Sequence, residues 1–255
     1  MTVPVSVIPL LSNLKYNVIC HKMTDELDIR NIEVGSSSST IAQIFKLPQQ
    51  MIDYLWECIE IAKKNPIYRS KTAGVLHSYG VDDPYNLIIE NLFNVVYNQV
   101  GNPNMFEFIN TEVKNIYRRI NTRKKIEPHL DDLWVNFQRK GEFQPLHAHD
   151  GAFSFVIWMD IPYDPKDEAK FQPKAGNFSF VTSNETSRAV REYLIELSPE
   201  MNGYCCFFPS DLSHQVYPFF TSDKDRISIS GNISYQSVVP NPHRVYQFPF
   251  HTSET

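Results

Sequence analysis

Beyond Pro128 the texture of the sequence changes, and that change constrains the fold more than any other feature of the chain. Before it, apolar residues recur at three and four positions; after it, short aromatic and β-branched runs alternate with turn residues. The runs at 133–139, 144–149, 153–161, 177–182, 203–208, 213–217, 226–236 and 244–249 read as strands. So many short strands in succession predict a sandwich or barrel, not a parallel sheet with crossover helices. The stretch Thr186 to Glu196 reads as a loop or short helix between strands.

The first half is different. Residues 1–46 mix short apolar and polar runs around a serine-rich loop signal at Gly35–Thr40. Pro48 then opens a helix over 49–65, because Met51, Ile52, Leu55, Ile59 and Ala62 keep helical spacing and proline suits a first turn. Similar patterns predict helices over 84–99, ending at Gly101-Asn102-Pro103, and over 104–120. The organisation expected is an N-terminal extension and helical support over 1–128 and a β core over 129–255, together forming one compact domain.

A hydrophobic fraction of 42% with 21% charged residues is ordinary for a globular protein, and a net charge of −5 argues against a surface that coats nucleic acid. The basic cluster Arg118, Arg119, Arg123, Lys124, Lys125 reads as a solvated junction, with guidance of an acidic or nucleic-acid partner as the alternative. Cys20, Cys58, Cys205 and Cys206 are too few and too irregular for a disulfide framework and read as buried free thiols. Met1–Leu11 carries two prolines and no basic leader, and no run is long enough to span a bilayer, so a cytoplasmic location without a membrane partner is expected.

The chemistry concentrates at His147-Ala148-His149-Asp150, at His214, and at Arg226-Ile227-Ser228. Residues two apart on a strand share a face, so His147 and His149 can address one ion while Ala148 points away. Neutral imidazole is the commonest protein ligand for iron, zinc, copper and nickel, and one remote histidine, His214, can complete a facial set. Asp150 breaks the parity and stays open as an acidic alternative if the chain turns at Gly151. On the last long strand Arg226, Ser228, Ser230 and Asn232 occupy one face. The planar guanidinium fork suits a carboxylate, with Ser228 as a further donor, so the pocket suits a dicarboxylate. Asn136 either contacts the same ligand or ties a strand end. Phe153, Phe155, Phe178 and Phe180 recur at period two and read as packing in a barrel interior; Trp158 and Tyr163 line a substrate mouth or belong to the core.

Trp134-x-Asn136, Gly141, His147-Ala148-His149, Gly176-Asn177-Phe178-Ser179-Phe180, Phe208-Pro209-Ser210 with His214, and Arg226-x-Ser228-x-Ser230-x-Asn232 together resemble the Fe(II)/2-oxoglutarate-dependent oxygenases of bacteria and tailed phages, a prolyl-hydroxylase-like group. The resemblance covers about residues 130–236 and is weak over the first half. It implies a mainly β fold with flanking helices: a double-stranded β-helix (jelly-roll or cupin-like) barrel. It also implies that His147, the residue at position 149 and His214 bind Fe(II), while Arg226 with Ser228 holds the far carboxylate of 2-oxoglutarate. Most of that superfamily has aspartate where this chain has His149, which removes one negative charge from the site.

The activity so implied is hydroxylation of an unidentified substrate, such as a peptide prolyl side chain, with 2-oxoglutarate and dioxygen as co-reactants. Two other readings remain: a three-histidine cupin-like metalloprotein that does not use 2-oxoglutarate, and a non-catalytic β-barrel that binds a partner or sits on a virion. Oligomeric state is not legible.

Overall fold

The computed structural model describes residues 30–33, 41–64, 77–81, 125–183 and 189–238. The helices expected over 84–99 and 104–120, the strand expected over 244–249, the loop at Gly35–Thr40 and the basic residues Arg118–Lys124 lie outside them.

Strands β1 (Arg30–Glu33) and β2 (Ile41–Lys46) precede helix α1 (Gln49–Lys64), and β3 (His77–Gly80) follows it. Then come β4 (Lys125–Gln138), β5 (Gln144–His147), β6 (Phe153–Asp160), the one-turn helix α2 (Pro165–Glu168), β7 (Phe178–Ser183), β8 (Val190–Ile195), β9 (Tyr204–Pro209), β10 (His214–Val216) and β11 (Arg226–Val238). They form an antiparallel seven-stranded sheet, ordered β1-β2-β9-β6-β11-β4-β3, and a four-stranded sheet, ordered β5-β10-β7-β8.

The order defines the fold. From β4 to β11 the chain visits the large sheet at β4, β6, β9 and β11 and the small sheet at β5, β7, β8 and β10. That winding is a double-stranded β-helix, here as two open layers and not as a closed cylinder. Strands from the first half of the chain, β1, β2 and β3, extend the large sheet at its two edges. Val190–Ile195 is therefore a strand, where the sequence reads as a loop or short helix: Arg191, Glu192 and Leu194 carry no β signature, and pairing with β7 decides the outcome.

Helix α1 buries Met51, Tyr54, Leu55, Cys58, Ile59 and Ala62, a stripe at three- and four-residue spacing. Lys63 and Lys64 sit in the last turn, where cations suit the helix dipole. The stripe covers one face of the large sheet, packing on Val135, Phe155, Phe207 and Ile229. A second core lies between the sheets and joins Val156, Trp158, Cys206 and Phe208 to Phe178, Phe180 and Ile195. Because β6 is covered on both faces it is buried along nearly its whole length. One expectation is corrected here. Phe178 and Phe180 do fill the interior between the sheets, but Phe153 and Phe155 point the other way, into the core beneath α1.

Trp158 and Tyr163 are both buried members of the inter-sheet core, and Tyr163 is no mouth residue. Cys58, Cys205 and Cys206 are buried free thiols, and burial pushes Cys206 far up and Cys205 up as well, so neither thiolate forms near neutral pH. Among the described residues no helix is long and apolar enough to cross a membrane.

Candidate metal centre

The small sheet brings the remote histidine to the pair. His147 ends β5, His214 begins β10, and the two are direct partners in the antiparallel ladder. His149 lies just beyond β5 and is fixed by its own backbone N–H, which donates to the Ser210 carbonyl at 2.9 Å. The ring centroids are 4.3 Å apart for His147 and His214, and 5.0 Å apart for the other two pairs. One ligand nitrogen from each ring lies within 4.8 Å of the others. Asp150 is exposed and its carboxylate is not among the converging donors.

Second contacts set the ring orientations. The Nδ1–H of His147 donates to the Pro145 carbonyl at 2.7 Å and that of His214 to the Leu212 carbonyl at 2.9 Å. With Nδ1 protonated, each ring keeps its Nε2 lone pair for a ligand, the usual tautomer of a metal-binding imidazole. The His214 ring stacks on Phe178, with Phe208 edge-on, and the His149 ring meets Trp134 edge-to-face. Burial, then the neighbouring His147, lowers His214 to about 3, and burial lowers His147 against the opposing Pro145 carbonyl. Both rings are thus held neutral, the form that binds metal.

Beside the imidazoles lies a cavity whose floor is the inward face of β4, β6 and β11. Its lining includes Arg226, Ser228 and Asn136 and, among the described residues, no aspartate or glutamate. Arg226 is 4% exposed, and among the described residues no carboxylate forms a salt bridge with it. Asn136 stands opposite Ser228 in the β4–β11 ladder, and its Nδ2 donates to the hydroxyls of Ser228 and Ser230 at 3.3 and 3.4 Å. Because both hydroxyls accept from Asn136, their own O–H bonds can turn toward the cavity. A buried cation facing a cavity without carboxylates is costly unless an anion joins it.

These residues fit a divalent iron and a dicarboxylate: three converging imidazoles suit Fe(II), and one guanidinium with nearby hydroxyls suits a carboxylate. All six residues singled out from the sequence are brought to one cavity. The sequence reading did not single out Gln138, Tyr163 and Gly176 as contacts of Arg226. The only local hint was that Gln138 shares a strand face with Asn136.

The site is anchored from below. The Ser154 hydroxyl donates to Asn232 Oδ1 at 2.8 Å and meets the Ser210 hydroxyl at 2.9 Å, tying β6, β11 and the turn after β9 together under the histidine loop. The backbone adds Ala152 N–H to the Ile233 carbonyl and Ser210 N–H to the Ala152 carbonyl.

Residues 132–232 match the sequence model of the family described as "Putative 2OG-Fe(II) oxygenase". Fe(II) and 2-oxoglutarate are the cofactors that this description names, in agreement with the motif resemblance. No curated protein matches the chain at a significant level. Solved structures similar to it include a Pseudomonas putida prolyl-4-hydroxylase, with 13% identity and a TM-score of 0.45 over 77% of this chain and 92% of that one. An oxidoreductase of the 2OG-Fe(II) oxygenase family from Burkholderia pseudomallei has 16% identity and a TM-score of 0.43, over 83% and 95%. A viral collagen prolyl hydroxylase from Paramecium Bursaria Chlorella virus-1, as a 2OG complex, has 13% identity and a TM-score of 0.42, over 78% and 98%.

Proposed function

From the match of residues 132–232 to the 2OG-Fe(II) oxygenase family model, we propose that this chain hydroxylates a C–H bond of its substrate with Fe(II) held by His147, His149 and His214 and 2-oxoglutarate anchored at Arg226. The observation that carries the proposal is the placement of three converging imidazoles and one buried guanidinium, which no carboxylate of the described residues pairs with, on the walls of a single cavity.

With iron and 2-oxoglutarate bound, the centre supplies oxidative decarboxylation to succinate and carbon dioxide, coupled to transfer of one oxygen atom from dioxygen to carbon. The protein binds, orients and shields. Pro145 and Leu212 carbonyls keep two rings in the ligating tautomer, so little reorganisation is needed when a metal enters. Arg226 and the Ser228 hydroxyl receive the far carboxylate of the diacid, which sets its keto end toward the imidazoles. Phe178, Phe208 and Trp134 wall the rings on their apolar sides and exclude water from them.

The motif resemblance makes a peptide prolyl side chain the first substrate to test. The decisive experiment loads the protein anaerobically with Fe(II), adds 2-oxoglutarate and then air, and measures succinate with and without candidate peptides. Succinate that depends on both iron and air is the expected result. Iron binding without any succinate would instead favour a three-histidine metalloprotein or a non-catalytic barrel.

A further inference from the structure

Arg226 does not reach the cavity as a free side chain. Its Nη1 donates to the Tyr163 hydroxyl and to the Gly176 carbonyl, both at 2.8 Å, and its Nη2 donates to Gln138 Oε1. Among the described residues three of the five guanidinium N–H bonds are thereby committed to the protein, which fixes the plane of the fork and leaves two for a ligand.

Each of the holding groups is itself held. Gln138 Nε2 donates to the Glu142 carbonyl at 2.6 Å and to the Tyr217 carbonyl at 3.3 Å, so its Oε1 has one direction only. The Tyr163 hydroxyl donates to the Gly176 carbonyl, closing a triangle with Arg226, and its ring stacks on Phe219 at 4.9 Å. Gly176 has φ +76, and a Cβ there would lie 2.6 Å from Tyr163 Cε2, so the close approach needs glycine. Phe219 is held in turn by buried Glu168, whose carboxylate accepts the backbone N–H of Phe220 and of Thr221, each at 2.7 Å.

We propose that Tyr163 and Gln138 are positioning residues that fix where Arg226 meets the far carboxylate of the bound 2-oxo diacid, and thereby set the length of diacid the site accepts. This rests on the reading of Arg226 as the diacid anchor. A guanidinium held at three points cannot slide along the cavity to meet a carboxylate one methylene nearer or farther. Freeing one of those points lets it do so.

The test is calorimetric titration of 2-oxoglutarate and of the one-carbon-longer 2-oxoadipate into protein loaded anaerobically with Fe(II). For Tyr163→Phe, 2-oxoglutarate should bind about tenfold more weakly, as expected for a disturbed charge-assisted contact. The preference for 2-oxoglutarate over 2-oxoadipate should fall at least about threefold while iron affinity stays the same. Gln138→Leu carries the same two expectations through the other anchor, and covers the case in which Tyr163→Phe does not fold. Unchanged affinity and preference in a folded variant would overturn the proposal and make these groups simple core partners. Equal weakening for both diacids would overturn the length-setting role. Failure of the underlying reading looks different: the unmodified protein would then take up iron but bind neither diacid.

Discussion

His147 and His214 stand opposite each other across the β5–β10 ladder, their ring centroids 4.3 Å apart, so a backbone register and not a loop conformation brings the remote histidine to the pair. Positions set by a ladder are held by backbone hydrogen bonds on both sides. Here β10 is paired on its other edge with β7, where His214 faces Phe180. The His147–His214 pair is therefore built into the small sheet.

The first prediction follows from that convergence. His214→Ala and His149→Ala should each weaken divalent metal binding by at least the ~10–100-fold typical of losing a supporting contact, because a ligand is lost outright. Asp150→Ala should leave it unchanged, since that exposed carboxylate stands outside the cluster. Calorimetric titration of Mn(II) or Fe(II) into the three variants decides. Loss of affinity in Asp150→Ala with none in His149→Ala would reverse the assignment.

Arg226 separates the two halves of the site. Arg226→Ala should weaken 2-oxoglutarate binding to the metal-loaded protein by about 100-fold or more, the scale of truncating a buried charge-assisted pair, while metal affinity stays within about threefold. The variant also leaves the Tyr163 hydroxyl, the Gly176 carbonyl and Gln138 Oε1 short of a donor, so a lower melting temperature should accompany the effect. Equal loss of metal and diacid binding would mean that the cavity had collapsed and that the arginine is structural.

How far the sequence foretells this arrangement depends on whether the relevant order is local. Helix α1 is legible because its stripe at Met51, Leu55, Ile59 and Ala62 is a property of neighbouring turns. The polar face of β11 is legible because alternation fixes which side chains travel together. Alternation does not say which side they face. Phe153 and Phe155 share a face as expected, yet β6 is covered on both sides and the pattern cannot choose between cores. Strand β8 is hidden for another reason: Val190 and Leu194 are largely exposed at a sheet edge, so burial leaves little trace in its sequence. The hold on Arg226 is the least legible part, because Tyr163, Gly176 and Gln138 come from separate turns and strands and meet only in the folded chain.

Glu192 on β8 gives a pH prediction. Partial burial works to raise its carboxyl, but hydrogen bonds from Lys174 and Tyr217 and the Lys174 charge outweigh that and bring it down to about 2. The Tyr217 hydroxyl donates to Glu192 Oε1 at 2.7 Å, and Lys174 Nζ pairs with Oε2. Between the ordinary carboxyl value of 4.5 and about 2 the unfolded chain binds the proton and the folded chain does not. The contribution is present above that window and is lost as pH falls through it. Lys174 is half-exposed, which keeps the effect modest. In thermal melts over this range Glu192→Gln should lose melting temperature less steeply than the unmodified protein; parallel slopes would show that the network does nothing for stability.

Glu168 is the strongest structural test, because it is a fully buried carboxylate used wholly as an acceptor. Its oxygens take the N–H of Phe220, the N–H of Thr221 and the Thr221 hydroxyl, and this holds Phe219 against the Tyr163 ring. Glu168→Ala leaves the backbone donors of partly buried Phe220 and exposed Thr221 without their acceptor and should cost about 1–3 kcal/mol, the scale of one buried group left unpaired, because water reaches Thr221. Glu168→Gln should cost less, since one oxygen survives, but more than zero, since its amide would point N–H bonds at N–H bonds. Urea denaturation of the two variants gives the order directly. The loop that Glu168 fixes also carries the Pro218 carbonyl, which accepts the Gly176 N–H, so loosening it reaches the carbonyl that steadies Arg226. Diacid affinity should accordingly fall in Glu168→Ala together with stability, and Glu168→Gln should lie between it and the unmodified protein in both measurements. A variant that lost stability yet bound the diacid unchanged would show that the loop and the guanidinium are uncoupled.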